Sequence, residues 1–99
     1  MRDRLNALDI SGLVVIGEGE KDEAPMLYIG EKLGKGGVEI DIAVDPLECT
    51  SFCASGHPDS MSVLAAGPRG SLLHAPGTYM DQMSVGKEAK GKVFFEKSF

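Results

Sequence analysis

Cysteine is scarce in this sequence: Cys49 and Cys53 stand four residues apart, with no second pair. That leaves no zinc pattern and no disulfide framework to build on. Long apolar runs are missing as well. None approaches the roughly 20 residues needed to span a bilayer. The N-terminal MRDRLNALDIS carries charges but no apolar core of a signal peptide. These absences lead to the expectation of a cytoplasmic protein without a membrane partner. Positive charge is also in short supply, with 10 Lys and Arg against 15 Asp and Glu and a formal net charge of −5. Such a balance argues against nucleic acid or an anionic membrane as the main partner. It does not argue against a phosphorylated substrate, because bound divalent cations reverse the local sign. Internal repeats and low-complexity tracts are absent.

What remains is an ordinary globular composition, 42% hydrophobic and 25% charged over 99 residues. This length suits one small domain or a piece of a larger one. Residues 1–9 read as the last turns of a helix, with Leu5 and Leu8 on one face. LVVIG, 13–17, reads as a buried strand that runs into glycines alternating with acids. APMLYIGEKL, 24–33, fits either a helix face or a strand, and Gly30 tips the balance toward strand. GKGG, 34–37, is a turn. VEIDIAV, 38–44, predicts a strand that enters the core and delivers Asp45 at its end. SMSVLAAG, 60–67, and GSLLHA, 70–75, predict a hairpin around GPRG, and VFFE, 93–96, predicts a last short strand. The order implies an α/β fold with a mixed sheet and helical cover.

Two acidic stretches carry the chemistry. EGEKDE, 18–23, holds Glu18, Glu20, Asp22 and Glu23 with a single lysine, and Gly17 and Gly19 let the backbone bend tightly there. One reading is a solvated acidic loop. The other is a site for Mg²⁺ or Mn²⁺, which favour oxygen ligands. DPLECT, 45–50, puts two carboxylates, a proline and a hydroxyl directly after an apolar run. Pro46 fixes its own φ and limits Asp45. Glu48 can fold back through a turn toward the same point. Thr50 and the peptide N–H groups around 49–51 can hold a phosphate oxygen if a helix starts there. Together these groups suit cations and a phosphoryl group. An acidic β-turn is the plain alternative, and no calcium-loop spacing follows.

Other residues take ordinary readings. His57 precedes a proline in a loop, and His74 lies in an apolar stretch as a hydrogen-bonded core histidine. Ser60 and Ser62 have no neighbouring base, so no nucleophile is assigned. Met26, Met61, Met80 and Met83 are read as core filling. The basic tail with Lys87, Lys90, Lys92 and Lys97 is read as solvated surface.

VVIGEGEKDEAPMLYIGEKLG, VEIDIAVDPLE-x-T, SVLAAG and GSLLHAP-x-x-YMD, in this order, closely resemble the class II fructose-1,6-bisphosphatases, including forms that also cleave sedoheptulose 1,7-bisphosphate. The motifs run from residue 1 to about residue 92, and FFEKSF looks unlike the expected continuation, as in a frameshifted or truncated gene product. The family belongs to the lithium-sensitive, metal-dependent sugar phosphatases, which share an Asp-Pro-Ile/Leu-Asp/Glu-Gly-Thr turn. The resemblance implies a layered α/β sandwich of mixed sheet and helices. It implies hydrolysis of the 1-phosphate of fructose 1,6-bisphosphate with Mn²⁺ or Mg²⁺, in gluconeogenesis or the Calvin cycle, by a homo-oligomer. Glu18 would bind one metal, and Asp45 and Glu48 a second. Asp22 would position or activate the attacking water. Glu48, Cys49 and Thr50 would touch the phosphate, and Tyr79 the sugar phosphate. The choice of Glu18 over Glu20, and the role of Tyr79, come from the resemblance alone.

Three departures accompany it. The family's N-terminal segment, with a further metal-binding aspartate, and its second half, with another glutamate ligand, are not in this chain. Residues 1–99 would then be the central part of the N-terminal phosphatase domain, and an inactive remnant is the alternative expectation. The family's glycine in the signature turn is Cys49 here, and an aspartate before the tyrosine is Gly77. A cysteine would obstruct a turn that needs positive φ.

Overall fold

The computed structural model describes residues 1–79 and 81–95. It opens with helix α1 (Arg2–Asn6), followed by strands β1 (Ile10–Ile16), β2 (Lys32–Leu33) and β3 (Val38–Glu48). Helix α2 (Thr50–Ser55) and strand β4 (Met61–Pro68) follow, and a single 3₁₀ turn covers Lys87–Ala89. The strands form one sheet in the order β2-β1-β3-β4. β1 and β3 are parallel, whereas β2 and β4 run antiparallel to their neighbours. The fold is therefore α/β with a mixed sheet, as the sequence predicted. No helix among the described residues is long and apolar enough to cross a membrane.

Strand alternation sorts the side chains into two faces. Val14 of β1 and Ile42 and Val44 of β3 turn to one face, where they close over Leu27 and Leu33, and all five are buried. Leu5, Ile10 and Ile40 pack against this cluster from its rim. Asp41, Ala43 and Asp45 of β3 take the alternate positions and so the opposite face. A strap of residues 69–79 crosses that second face.

The turn from β2 back to β3 depends on glycine. Gly34 sits at φ +97°, and a Cβ there would lie 2.1 Å from the Ile10 carbonyl oxygen. Its amide donates to Asn6 Oδ1 at 3.0 Å, which ties α1 to the same turn.

Several sequence expectations change. β1 begins at Ile10, three residues earlier than read, because Ile10–Leu13 pair with β3 and β2. Residues 24–31 are not a strand. They return beside β1 as irregular chain, with Val14 N donating to Glu31 O and Gly30 N to Val14 O. Only Lys32–Leu33 join the sheet.

β3 does not stop before Asp45. It continues through Pro46 to Glu48, so DPLE is strand rather than turn. Residues 70–75 form no strand, and β4 pairs with β3 in place of the expected hairpin. Arg69 and the turn after it are instead held to Asp41, which takes them off the sheet edge. Val93–Phe95 hold no strand, while Glu96 lies outside the described residues. Met26, Met61 and Met83 are exposed rather than core, and Met80 is outside the described residues. Met61 is exposed because β4 is an edge strand whose residues are uncovered apart from Gly67.

Candidate functional site

Two irregularities in the ladders assemble the acidic residues. The first is in β1. Val14 pairs with Ile42, but the next pair is Ile16 with Ala43, so β1 carries one extra residue at Val15. A one-residue slip turns every following side chain to the other face. Ile16 leaves the core face and is exposed, sharing the side of Ala43 and Asp45. Glu18 and Asp45 each lie two residues beyond the Ile16–Ala43 pair, Glu18 in the loop after β1 and Asp45 still within β3.

The second irregularity is in β3. Asp45 pairs with Val63, and Glu48 pairs with Met61, so three steps on β3 match two on β4. Regular alternation would separate residues 45 and 48. The extra residue returns Glu48 to the side of Asp45. Asp45 Oδ1 accepts the Leu47 amide at 3.1 Å across this bulge, and Ser62 Oγ donates to the Pro46 carbonyl at 2.6 Å. The sequence expected these carboxylates to meet through a turn, whereas a β-bulge brings them together.

Their proximity has an electrostatic signature. A hydrogen bond to Asp45, together with repulsion from its charge, raises the Glu48 carboxyl above the ordinary carboxylate value. Neither Asp45 nor Glu48 takes part in an ion pair among the described residues.

Cys49 follows with φ 58° and ψ 53°, the left-handed region. The positive φ anticipated at the signature turn is present, and a side-chain-bearing residue occupies it. The Cys49 carbonyl accepts the amides of Phe52 and Cys53 at 3.0 and 3.2 Å, so helix α2 starts directly behind the bulge with exposed Thr50 as its first residue.

The loop between β1 and β2 is held by its backbone. Glu18 N donates to Leu27 O at 2.9 Å, and Ile29 N to Gly19 O at 2.9 Å. Gly17 makes this fold-back possible, since a Cβ on it would lie 2.0 Å from the Leu27 carbonyl oxygen. Glu31, 3% exposed, accepts the Leu27 amide on one oxygen and Arg2 Nε at 2.6 Å on the other. That pairing raises the Arg2 guanidinium above its ordinary value, chiefly through the hydrogen bond.

Three neighbouring cavities surround the loop. Glu18 and Glu23 line the first, of about 340 Å³, together with Arg2 and Pro46. The same two glutamates line the second, of about 350 Å³, with Gly17, Ala75 and Gly77. Gly17 and Asp45 line the third, of about 420 Å³, beneath Pro76–Tyr79 of the strap. Tyr79 thus lies at the cavity that Asp45 opens into, and its ring is fully exposed. Asp22 sits in the turn closed by Glu23 N and Ala24 N on Glu20 O, and it lines none of these three cavities.

Two residues escaped the sequence reading, and a third, His74, was read at the wrong depth. Glu31 and Asp41 are buried acids that anchor backbone; Asp41 stood out as an acid between Ile40 and Ile42, whereas Glu31, between Gly30 and Lys32, gave no signal. His74 is exposed rather than core, although it is hydrogen-bonded as expected: its Nδ1 lies 2.9 Å from the Val15 carbonyl oxygen. Its strap position depends on a bulge that no periodicity reveals.

The donor chemistry at Asp45 and Glu48 fits a divalent cation. Both are hard oxygen donors, and the repulsion that raises the Glu48 carboxyl is one a bound cation would relieve. No group of three His, Cys, Asp or Glu among the described residues is close enough to hold a metal ion. The fit is therefore to a two-carboxylate anchor, with Glu18, in the loop after β1, outside it.

The family model described as bacterial fructose-1,6-bisphosphatase, glpX-encoded, matches residues 1–99. The match extends through the last residues, so the resemblance does not end near residue 92 as the motifs suggested. The chain is 52% identical over 99 residues to the D-fructose 1,6-bisphosphatase class 2/sedoheptulose 1,7-bisphosphatase of Prochlorococcus marinus (strain MIT 9303). It is 54% identical over 99 residues to the protein of the same name from Synechococcus sp. (strain CC9902). In both cases 99% of this chain is covered, and it spans 30% of the relative's length. With the whole of its described sheet and both acidic loops inside the matched region, this chain belongs to the bacterial fructose-1,6-bisphosphatase family.

Proposed function

We propose that this chain supplies the metal-binding and phosphate-binding strands of an enzyme that hydrolyses the 1-phosphate of fructose 1,6-bisphosphate to fructose 6-phosphate and phosphate. Sedoheptulose 1,7-bisphosphate is a further substrate of the same chemistry. The observation that carries the reading is the Asp45–Glu48 pair on one face of β3, beside the end of the parallel strand that leads to Glu18.

Asp45 and Glu48 hold one Mg²⁺ or Mn²⁺ ion and Glu18 holds another. Bound divalent cations supply charge neutralisation and an activated water. The Asp22 carboxylate orients that water and accepts its proton on an oxygen. Glu48, Cys49 and Thr50 contact the phosphate, the last through its hydroxyl, and Tyr79 holds the sugar phosphate. The same proposal includes a cytoplasmic homo-oligomer in gluconeogenesis or the Calvin cycle. It also includes a layered α/β sandwich in which residues 1–99 are the central part of the N-terminal phosphatase domain.

The test is phosphate release from fructose 1,6-bisphosphate with Mn²⁺ or Mg²⁺. Metal-dependent turnover that disappears in Asp45→Ala supports the reading. One observation favours a second reading for the chain by itself, an inactive remnant: no three-ligand group forms among its described residues. No turnover, together with weak Mn²⁺ binding by calorimetry, is the result that reading expects.

A further inference from the structure

We infer that His74 is a positioning residue for the acidic site: its imidazole holds the extra residue of β1 that turns Ile16 to the face carrying Asp45, and so sets where the Glu18 loop leaves the strand. This rests on the reading above, in which Glu18 and Asp45 act together.

The argument begins with the ladder. In a parallel pair, residues that face each other share a side of the sheet. Val14 with Ile42 is a core pair, and both are buried. Had β1 continued without the extra residue, residue 16 would have remained on the core side, and the loop that carries Glu18 would have left the strand from that side. The inserted residue, Val15, reverses this, and Ile16 pairs with Ala43 on the opposite side.

A bulge leaves a backbone group outside the regular ladder, and that group needs a partner. For the Val15 carbonyl the partner is His74 Nδ1 at 2.9 Å. A carbonyl oxygen only accepts, so Nδ1 carries the hydrogen. This fixes the tautomer and leaves Nε2 free of that role.

The strap that carries His74 is anchored at its other end. Buried Asp41 accepts Gly70 N at 2.7 Å and Leu72 N at 3.4 Å on Oδ2. Its Oδ1 lies 3.2 Å from Arg69 Nε, an ion pair without hydrogen-bond alignment. Arg69 Nη2 donates to the Ser11 carbonyl at 2.6 Å and more weakly to the Ile40 carbonyl at 3.3 Å. The strap therefore touches β1 twice, at Ser11 through Arg69 and at Val15 through His74. These points are four residues apart on β1 and five apart on the strap. The first contact fixes where the strap starts. The second is made at the residue that decides the side to which Ile16 turns, just before the Glu18 loop. Beyond it, Ala75 and Gly77 line the cavity of Glu18, and Pro76–Tyr79 line that of Asp45. One side chain thus couples the departure of the Glu18 loop to the placement of Tyr79.

The test uses the full 99-residue chain labelled with ¹⁵N, comparing wild type with His74→Ala and His74→Asn. In asparagine the amide nitrogen is bonded to Cγ, as Nδ1 is in histidine, so it can donate to the same carbonyl. The metal-free readout is the amide spectrum. His74→Ala should shift the resonances of Gly17–Gly19 and Gly77–Tyr79 while Leu33 and Ile42 stay in place, and His74→Asn should restore the wild-type positions. The imidazole ¹⁵N shifts of wild type should report the Nδ1–H tautomer. Unmoved Gly17–Gly19 resonances in His74→Ala would overturn the inference. So would shifts spread equally over the core, or a failure of asparagine to restore them.

A second readout is paramagnetic broadening by Mn²⁺. In wild type it should reach both Glu18 and Glu48. In His74→Ala the broadening at Glu18 should be lost and that at Glu48 kept. If Mn²⁺ broadens neither loop in wild type, the metal reading fails, and the role of His74 is decided by the metal-free shifts alone.

Discussion

Replacing Cys49 by glycine should make the chain more stable, although it removes a side chain. Cys49 occupies the left-handed region at φ 58°, ψ 53° between β3 and α2. For a residue with a Cβ this conformation costs roughly 1–2 kcal/mol, because the Cβ crowds the following carbonyl. Glycine escapes that cost but loses more chain entropy on folding, roughly 0.5–1 kcal/mol. At mid-range the difference leaves a net gain of about 0.75 kcal/mol. The thiol contributes little to set against this, since Cys49 is exposed and unbonded to any other cysteine. Alanine is the discriminating control: it removes the sulfur and keeps the Cβ, so Cys49→Ala should stay within about 0.5 kcal/mol of wild type. Urea unfolding followed by far-UV circular dichroism measures both. At a slope of about 1 kcal/mol/M, Cys49→Gly should raise the midpoint by about 0.75 M. A glycine variant no more stable than the alanine variant would refute the reasoning, because the strain would then not reside in the Cβ at this position.

Two further outcomes follow from the same geometry. Gly17→Ala places a Cβ 2.0 Å from the Leu27 carbonyl and 2.7 Å from Val14 Cγ1, so the bond from Glu18 N to Leu27 O must break or shift. A loss of about 1–3 kcal/mol in urea unfolding is expected, with faster amide exchange at Glu18; unchanged stability and exchange would contradict the fold-back. The second concerns pH. Asp45 raises the folded-state pKa of Glu48, so the folded chain binds that proton more tightly than the unfolded chain does. The resulting stabilisation is present below the ordinary value of 4.5 and is lost as pH rises through the folded-state pKa. Thermal unfolding across that window should show this decline, and Glu48→Gln should flatten it; an unchanged slope in the variant would place the effect elsewhere.

Much of the fold was legible because burial imposes period. The alternation in VEIDIAV predicted β3, and LVVIG predicted most of β1. The EGEKDE loop was legible because charge next to a buried strand has to leave the core, whereas DPLE, read as a turn, is the end of β3. What could not be read were events that break period. Bulges at Val15 and after Asp45 change face without any marker in composition. Residues 24–31 carry enough apolar residues for a strand, yet Leu27 takes φ 55° and Glu31 caps its amide, so the segment curls. GSLLHA looked like half a hairpin because the pull of Asp41 on the Gly70 amide comes from 29 residues away.

Charge partners separate the structural acids from the site. Glu31 and Asp41 are nearly fully buried, and each is paired with an arginine while anchoring backbone amides. A buried carboxylate without such partners would be costly, so these two arginines are committed to structure. Asp45 and Glu48 are less buried and have no cationic partner among the described residues, and they stand close enough for one to raise the pKa of the other. A protein selected only for stability would have no reason to keep that pair facing one way, because the bulge that brings it together interrupts the ladder with β4. Mutual repulsion retained at the cost of strand pairing makes sense where a cation from solution completes the balance. The pair should therefore bind Mn²⁺ before any other acids in the chain do. Calorimetry on Asp45→Asn, set against Glu20→Gln, compares the pair with an acid of the neighbouring loop that belongs to neither the pair nor the proposed ligand set. Equal loss of Mn²⁺ heat in the two variants would show general attraction to an acidic surface, and loss confined to Asp45→Asn would locate the cation at β3.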